Sequence, residues 1–200
     1  MSIPVFKDGE LDALTEACNI GMGHAATALS RMMGKGIDIE VPRLQLLEPA
    51  RLAELLDARQ VICLRLQIRG EVRGSILILF GRDDARGMLK LLLGQQGEPE
   101  LPLSELEMST LNEVGNILAS ACLNALGTML KMPLLPSVPT LAIGEAAEVL
   151  PRIMGQSGSG EAIVMIDTVF SIAHTLCGGN IFLMPESASL RTILGALGAP

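Results

Sequence analysis

Along residues 9–33, small or apolar residues recur at three- and four-residue steps: Leu11, Leu14, Cys18, Gly21, Ala25, Ala28 and Met32. At about 100° per residue this spacing forms one face of a long helix. The pattern then changes to short unbroken apolar runs, VICLRLQI and SILILF, each bounded by Gly and charged residues. Such runs predict strands over about 60–69 and 73–80, with residues 70–73 short enough for a hairpin. An extended segment over 38–48 and a closing helix over 83–93 complete the unit.

The unit then repeats. The helix stripe returns 97 residues later as Met108, Leu111, Gly115, Leu118, Cys122, Ala125 and Met129. Farther on, AIVMIDTVFSI and GNIFLM predict two more strands. GSILILFGRDDARGMLKLLLG is similar to GNIFLMPESASLRTILGALG with the shift grown to 104 or 105, which implies a short insertion around GQSGSGEA. Helix starts are signalled by Asp8 and by Ser104-Glu105-Leu106-Glu107, a capping-box pattern, and Pro99 and Pro102 mark the joint between repeats. One repeat holds about three strands, too few for an independent sheet. Two repeats related by a pseudo-twofold axis can pair their edges into one. The reading is a single α+β domain over 1–200, built from repeats at about 8–97 and 103–200.

The polar positions repeat as strictly. Asp12, Glu16, Asn19 and Pro42 recur as Ser109, Glu113, Asn116 and Pro139, and in both copies 22 residues separate the Asn from the Pro. On the helix Asp12, Glu16 and Asn19 fall about 150° from the centre of the apolar stripe, so they must face outward. That face continues through Gly23, Thr27 and Ser30 in the first helix, and through Ser120, Asn124 and Gly127 in the second. A solvated face normally carries Lys, Glu or Arg there. Gly inside a helix costs about 0.5–1 kcal/mol relative to Ala. On one helix an exposed Glu and Asn need no explanation beyond solvation; repeated beside small residues, they indicate a surface that docks another.

Composition narrows the partner. Hydrophobic residues make up 49% and charged ones 18%, with no Trp or Tyr and a net charge of −7. A sizeable core follows, and nucleic acid is excluded as a partner, since binding a phosphate backbone needs clustered Lys and Arg. Cys18, Cys63, Cys122 and Cys177 lie 45, 59 and 55 residues apart, which suggests neither a zinc site nor a disulfide framework. They read as small buried residues. The N-terminus lacks a basic start with an apolar run, and no stretch of about 18 apolar residues occurs, so a cytoplasmic protein away from the membrane is expected.

The pattern D-x3-E-x2-N-x22-P from Asp12 to Pro42, and S-x3-E-x2-N-x22-P from Ser109 to Pro139, resembles the signature of the CheC/CheX/FliY family of chemotaxis phosphatases. NIGMGHAATALS also resembles the first-helix sequence of CheC proteins. The resemblance spans essentially the whole chain, and two complete motifs make it most like CheC; CheX keeps one, and a full FliY with an additional C-terminal flagellar-switch domain is not expected. It implies a six-stranded, mostly antiparallel sheet with two long exposed motif helices. It also implies hydrolysis of the aspartyl phosphate of a phosphorylated CheY-like response regulator. In that role Asn19 and Asn116 orient the attacking water and Glu16 and Glu113 pair with a receiver lysine, while Asp12, Gly23, Ser109 and Ser120 dock the partner. No cofactor of its own is implied, because the Mg2+ belongs to the receiver. A monomer is expected, with the CheD receptor deamidase as a further partner. Two other classes remain open: a non-catalytic adaptor for a receiver or CheD, and a flagellar-switch component. Cys18, where the family often has Gly, falls on the inward stripe, and the roles of Cys18 and His24 are left open.

Other candidates carry less chemistry. Gly21-Met22-Gly23 lies inside a helix and is no phosphate loop. His174 reads as a strand or core histidine, and Ser157 and Ser159 as loop residues without a His partner. Met22, Met32, Met33, Met129 and Met132 read as core fillers, and Pro42 and Pro139 as structural.

Overall fold

A computed structural model describes residues 8–48, 51–52, 54, 59–94, 102–154, 163–172 and 174–197. The elements run α1 (Asp8–Met33), β1 (Ile37–Leu47), β2 (Gln60–Gly70), β3 (Gly74–Gly81) and α2 (Arg82–Leu93), followed by α3 (Glu105–Leu130), β4 (Leu134–Pro136) and β5 (Thr140–Glu145). The chain closes with α4 (Ala146–Met154), β6 (Ile163–Ile172), β7 (Thr175–Pro185) and α5 (Ser187–Leu197). The predicted boundaries of the first repeat hold to within one residue. The expected insertion GQSGSGEA, with Ser157 and Ser159, and the expected joint at Pro99 lie outside the described residues.

Among the described residues the strands form one antiparallel sheet in the order β1-β6-β7-β3-β2, with β4 and β5 both on the far edge of β2. The repeats join into one sheet, as expected, and they also exchange edge strands. β1 of the first half pairs with β6 of the second, and β4 and β5 of the second pair with β2 of the first. The two halves meet along β3 and β7. Seven strands thus fill the six expected positions, because the counterpart of β1 is split in two.

The motif prolines explain that split. On β1, Glu40 pairs with Val169 but Arg43, three residues on, pairs with Asp167, only two back. On the opposite edge Pro136 pairs with Ile68, whereas Thr140, four residues on, pairs with Arg65, three back. Each edge slips by one residue beside its proline, Pro42 or Pro139. Proline has no N–H to give to a ladder and is confined to edges and bulges.

Both faces of the sheet are covered, which is why its strands read as unbroken apolar runs. One face carries Leu64, Ile78, Phe80 and Ile166 beneath α1, α3, α2 and α5. The other carries Cys63, Leu77, Leu79 and Phe182 against α4, through Val149, Leu150 and Ile153. Helix α4 is absent from the sequence reading, which passed over it because Pro151 stands inside it. The proline is the sixth of its nine residues, past the first turn, and so removes one i→i−4 hydrogen bond from this short helix.

Helix α3 starts as its capping box predicts. The Glu107 backbone N–H donates to Ser104 Oγ at 3.3 Å, and the Ser104 N–H donates to the Glu107 carboxylate at 2.7 Å. The β2–β3 hairpin turns at Gly70, whose φ of 131° would strain any other residue. His174 is not a core residue: it is exposed, at the β6–β7 turn, with a φ of 68°.

The helix stripes hold for most of their length. Leu14, Cys18, Gly21 and Ala25 of α1 are buried, as are Leu111, Gly115, Leu118 and Cys122 of α3. Ala28 and Met32 are exposed instead, Met32 by 42%, so Met32 is no core filler. Steps averaging 3.5 drift by about 20° per heptad on a straight helix, and the buried face passes to Met22, Ala26 and Leu29.

Candidate functional site

On α1 the residues Asp12, Glu16, Asn19 and Gly23 are all exposed, along one ridge opposite the buried Leu14, Cys18 and Met22. A Cβ added at Gly23 would meet nothing within 4 Å, so the ridge is open there. Thr27 prolongs it, its hydroxyl donating to the Gly23 carbonyl at 3.0 Å. The ridge ends sooner than expected. Ser30 is half-buried, its Oγ accepting the Ile37 N–H at 2.9 Å and donating to the Ile37 carbonyl at 3.1 Å. It fastens the start of β1 rather than facing a partner.

The second motif is more enclosed. Ser109, Glu113, Asn116 and Pro139 all line one cleft of about 620 Å³, between α3 and the β4–β5 turn at residues 136–139. Ser109 and Glu113 are exposed and Asn116 is half-buried. Residues 97 apart from the first motif therefore converge on one surface, although 23 positions separate Asn116 from Pro139. Asn112, passed over in the sequence, lines the same cleft, and its Oδ1 is buried with no hydrogen-bond partner among the described residues. Its counterpart in the first repeat, Thr15, is satisfied by the Leu11 carbonyl at 2.8 Å.

Two residues of the expected outward track on α3 belong elsewhere. Gly127 is buried, because a Cβ there would lie 2.6 Å from the Met132 carbonyl oxygen as the chain turns back toward β4. Ser120 is half-buried and does not line the motif cleft.

A second groove, of about 470 Å³, runs between the two motif helices. Glu16, Ile20 and His24 form its α1 wall and Asn124, Thr128 and Met129 its α3 wall. Ile20 is 49% exposed there, beside the motif residues. Glu16 is therefore shared between the α1 ridge and this groove, and His24 gains a place at its wall.

Among the described residues the side chains of Glu16, Asn19, Glu113 and Asn116 make no intramolecular hydrogen bond or ion pair. Their donors and acceptors are available to a partner: a carboxamide offers both, a carboxylate only acceptors. The four cysteines are buried, as expected. Hydrogen bonding to Cys122, with burial second, holds the Cys18 thiol well above its usual range. Burial pushes Cys63 up to about 12, partly offset by Arg65. Burial also raises Cys177, with Asp84 adding to it. Thiols shifted this way are poor nucleophiles and serve packing. Among the described residues no group of three or more His, Cys, Asp or Glu is placed to hold a metal ion, and no helix is long and apolar enough to cross a membrane.

Comparison with known proteins agrees with this geometry. The model of the CheC-like family matches residues 10–45, which hold nearly all of α1 and the first motif as far as Pro42. The CheY-P phosphatase CheC of Bacillus subtilis is 32% identical, over 96% of this chain and 96% of its own. Among solved structures, Thermotoga maritima FliY is similar with a TM-score of 0.79 at 19% identity, over 96% of this chain and 98% of that one. The CheX-CheY-BeF3-Mg+2 complex from Borrelia burgdorferi matches with a TM-score of 0.54 at 17% identity, over 89% and 98%.

Proposed function

Because the chain belongs to the CheC-like family, we propose that it is a phosphatase that hydrolyses the aspartyl phosphate of a CheY-like response regulator in chemotaxis signalling. The observation that carries this reading furthest is the cleft in which Ser109, Glu113, Asn116 and Pro139 meet. A relative that matches over nearly its full length bears the name of that activity.

An aspartyl phosphate is an acyl phosphate, and its carboxylate leaves readily. A catalyst for its hydrolysis therefore gains more from holding a water in line with the phosphorus than from supplying a nucleophile. Asn19 and Asn116 are suited to hold it, because each carboxamide oxygen accepts a water proton and each amide N–H donates to a water or phosphoryl oxygen. Water attacks phosphorus, the bond to the aspartate oxygen breaks, inorganic phosphate leaves, and the released proton passes to solvent or to the phosphate. Glu16 and Glu113, one helical turn earlier and without internal partners, anchor each helix by pairing with a receiver lysine. Asp12, Gly23 and Ser109 flank the contact.

The Mg2+ of the reaction belongs to the receiver, in keeping with the structural neighbour in which CheX is in complex with CheY, BeF3 and Mg+2. A monomer is sufficient, since each repeat presents its own motif helix, and the setting is cytoplasmic. Binding of the CheD receptor deamidase is carried with the same reading.

The test is phosphate release from a phosphorylated CheY-like receiver on adding this protein. Faster release than the receiver's own decay supports the phosphatase. Saturable binding without acceleration would instead identify an adaptor.

A further inference from the structure

The two motif sites differ in one feature that their shared signature does not record. In the second repeat the residue before the motif proline, Val138, is 84% exposed at the lip of the cleft that holds Glu113 and Asn116. Its counterpart Val41, beside Pro42, is half-buried and packs on the main core. The same residue type at the same motif position thus faces opposite ways in the two halves.

Val138 is also held rigidly. Ser137 donates its N–H to the Gln67 carbonyl at 2.8 Å and accepts the Gln67 N–H on its Oγ at 2.9 Å, so the turn is clamped to β2 from both sides. The Ser137 hydroxyl donates to the Val138 carbonyl at 3.0 Å, and Pro136 and Pro139 restrict the backbone on either side. A fixed apolar side chain beside free polar groups matches the anatomy of an interface anchor, since the ordering cost is met before the partner arrives.

We infer that Val138 is a docking residue of the second site, an apolar contact that the CheY-like receiver buries when its phosphorylated aspartate meets Asn116. The inference rests on the proposed receiver partner and adds that the second site recognises it with a wall the first site lacks. Continuity with the Glu113/Asn116 cleft fixes the occupant, because any domain whose aspartate reaches Asn116 must also cover the lip. Val138 touches the receiver's surface and takes no part in the chemistry.

The experiment has two arms. In an Asn19→Ala protein, where only the second site turns over, Val138→Ser should raise KM for the phosphorylated receiver by at least about fivefold with kcat kept, and Val138→Leu should restore it. In an Asn116→Ala protein, where only the first site turns over, Val138→Ser should change neither constant. An unchanged KM in the first background, or an equal rise in both, would overturn the inference. The second arm places an environment-sensitive dye on Val138→Cys, the native cysteines being buried, and titrates it with receiver activated by beryllofluoride. A saturable emission change is expected, and its absence overturns the inference whether or not phosphate is released. A dye response in a protein that releases no phosphate would sink the phosphatase and leave the docking wall standing.

Discussion

Gly21 of α1 lies so close to Ala121 of α3 that a Cβ on the glycine would stand 3.0 Å from the Ala121 carbonyl oxygen, with the Ala125 Cβ and Cys122 Cα at 3.2 Å. Two positions along the same helix, Gly23 meets nothing within 4 Å. The first glycine sets the helix crossing, and the second leaves a partner room.

Alanine should therefore have opposite effects at these positions. Gly23→Ala should stabilise the protein by about 0.5–1 kcal/mol, the usual gain in an exposed helix interior. Gly21→Ala should destabilise it by about 1–3 kcal/mol, because backbone must move to admit the methyl group. Urea midpoints at constant m-value measure both. Stabilisation by Gly21→Ala would show that the crossing is looser than described.

Much of this arrangement was legible in the sequence. The repeat of Glu and Asn at a fixed offset placed both pairs on outward helix faces, and unbroken apolar runs such as SILILF located strands buried on both sides. Other features depend on packing, which spacing does not record. The split into β4 and β5 follows from where the slip beside Pro139 falls, and α4 was hidden by Pro151. Ser30 and Gly127 had the right phase for the docking ridge, yet the returning chain closes over both. Val138 and Asn112 are invisible as site residues until the β4–β5 turn is known to wall the α3 cleft.

The buried thiols predict an alkaline weakness. Cys63 is raised from 9.0 to about 12 in the folded protein, and Cys18 and Cys177 are raised too. Unfolded chains lose these protons first, so the contributions are intact below about pH 9, and that of Cys63 is lost as pH rises toward 12. Stability should fall through that window by up to about 1.4 kcal/mol per pH unit for Cys63. Cys63→Ala should flatten the slope, measured as denaturation midpoints between pH 8 and 11. An identical slope would remove Cys63 from the explanation.

Glu16→Ala and Glu113→Ala should act mainly through docking. Each should raise KM for the phosphorylated receiver at its own site with a smaller change in kcat, and raising the salt concentration should reproduce the effect in the parent, since an ion pair across a wet interface is screened. Losses confined to kcat and insensitive to salt would assign these carboxylates to chemistry instead.

The most direct measurement compares phosphate release from a phosphorylated CheY-like receiver by the parent, Asn19→Ala, Asn116→Ala and the double variant, with receiver binding and Tm measured alongside. Each single variant should keep its fold and its binding and lose turnover at one site. The double variant should lose at least about tenfold in rate, equivalent to about 1.4 kcal/mol of transition-state stabilisation. Release by the double variant as fast as by the parent would contradict water positioning by the two carboxamides.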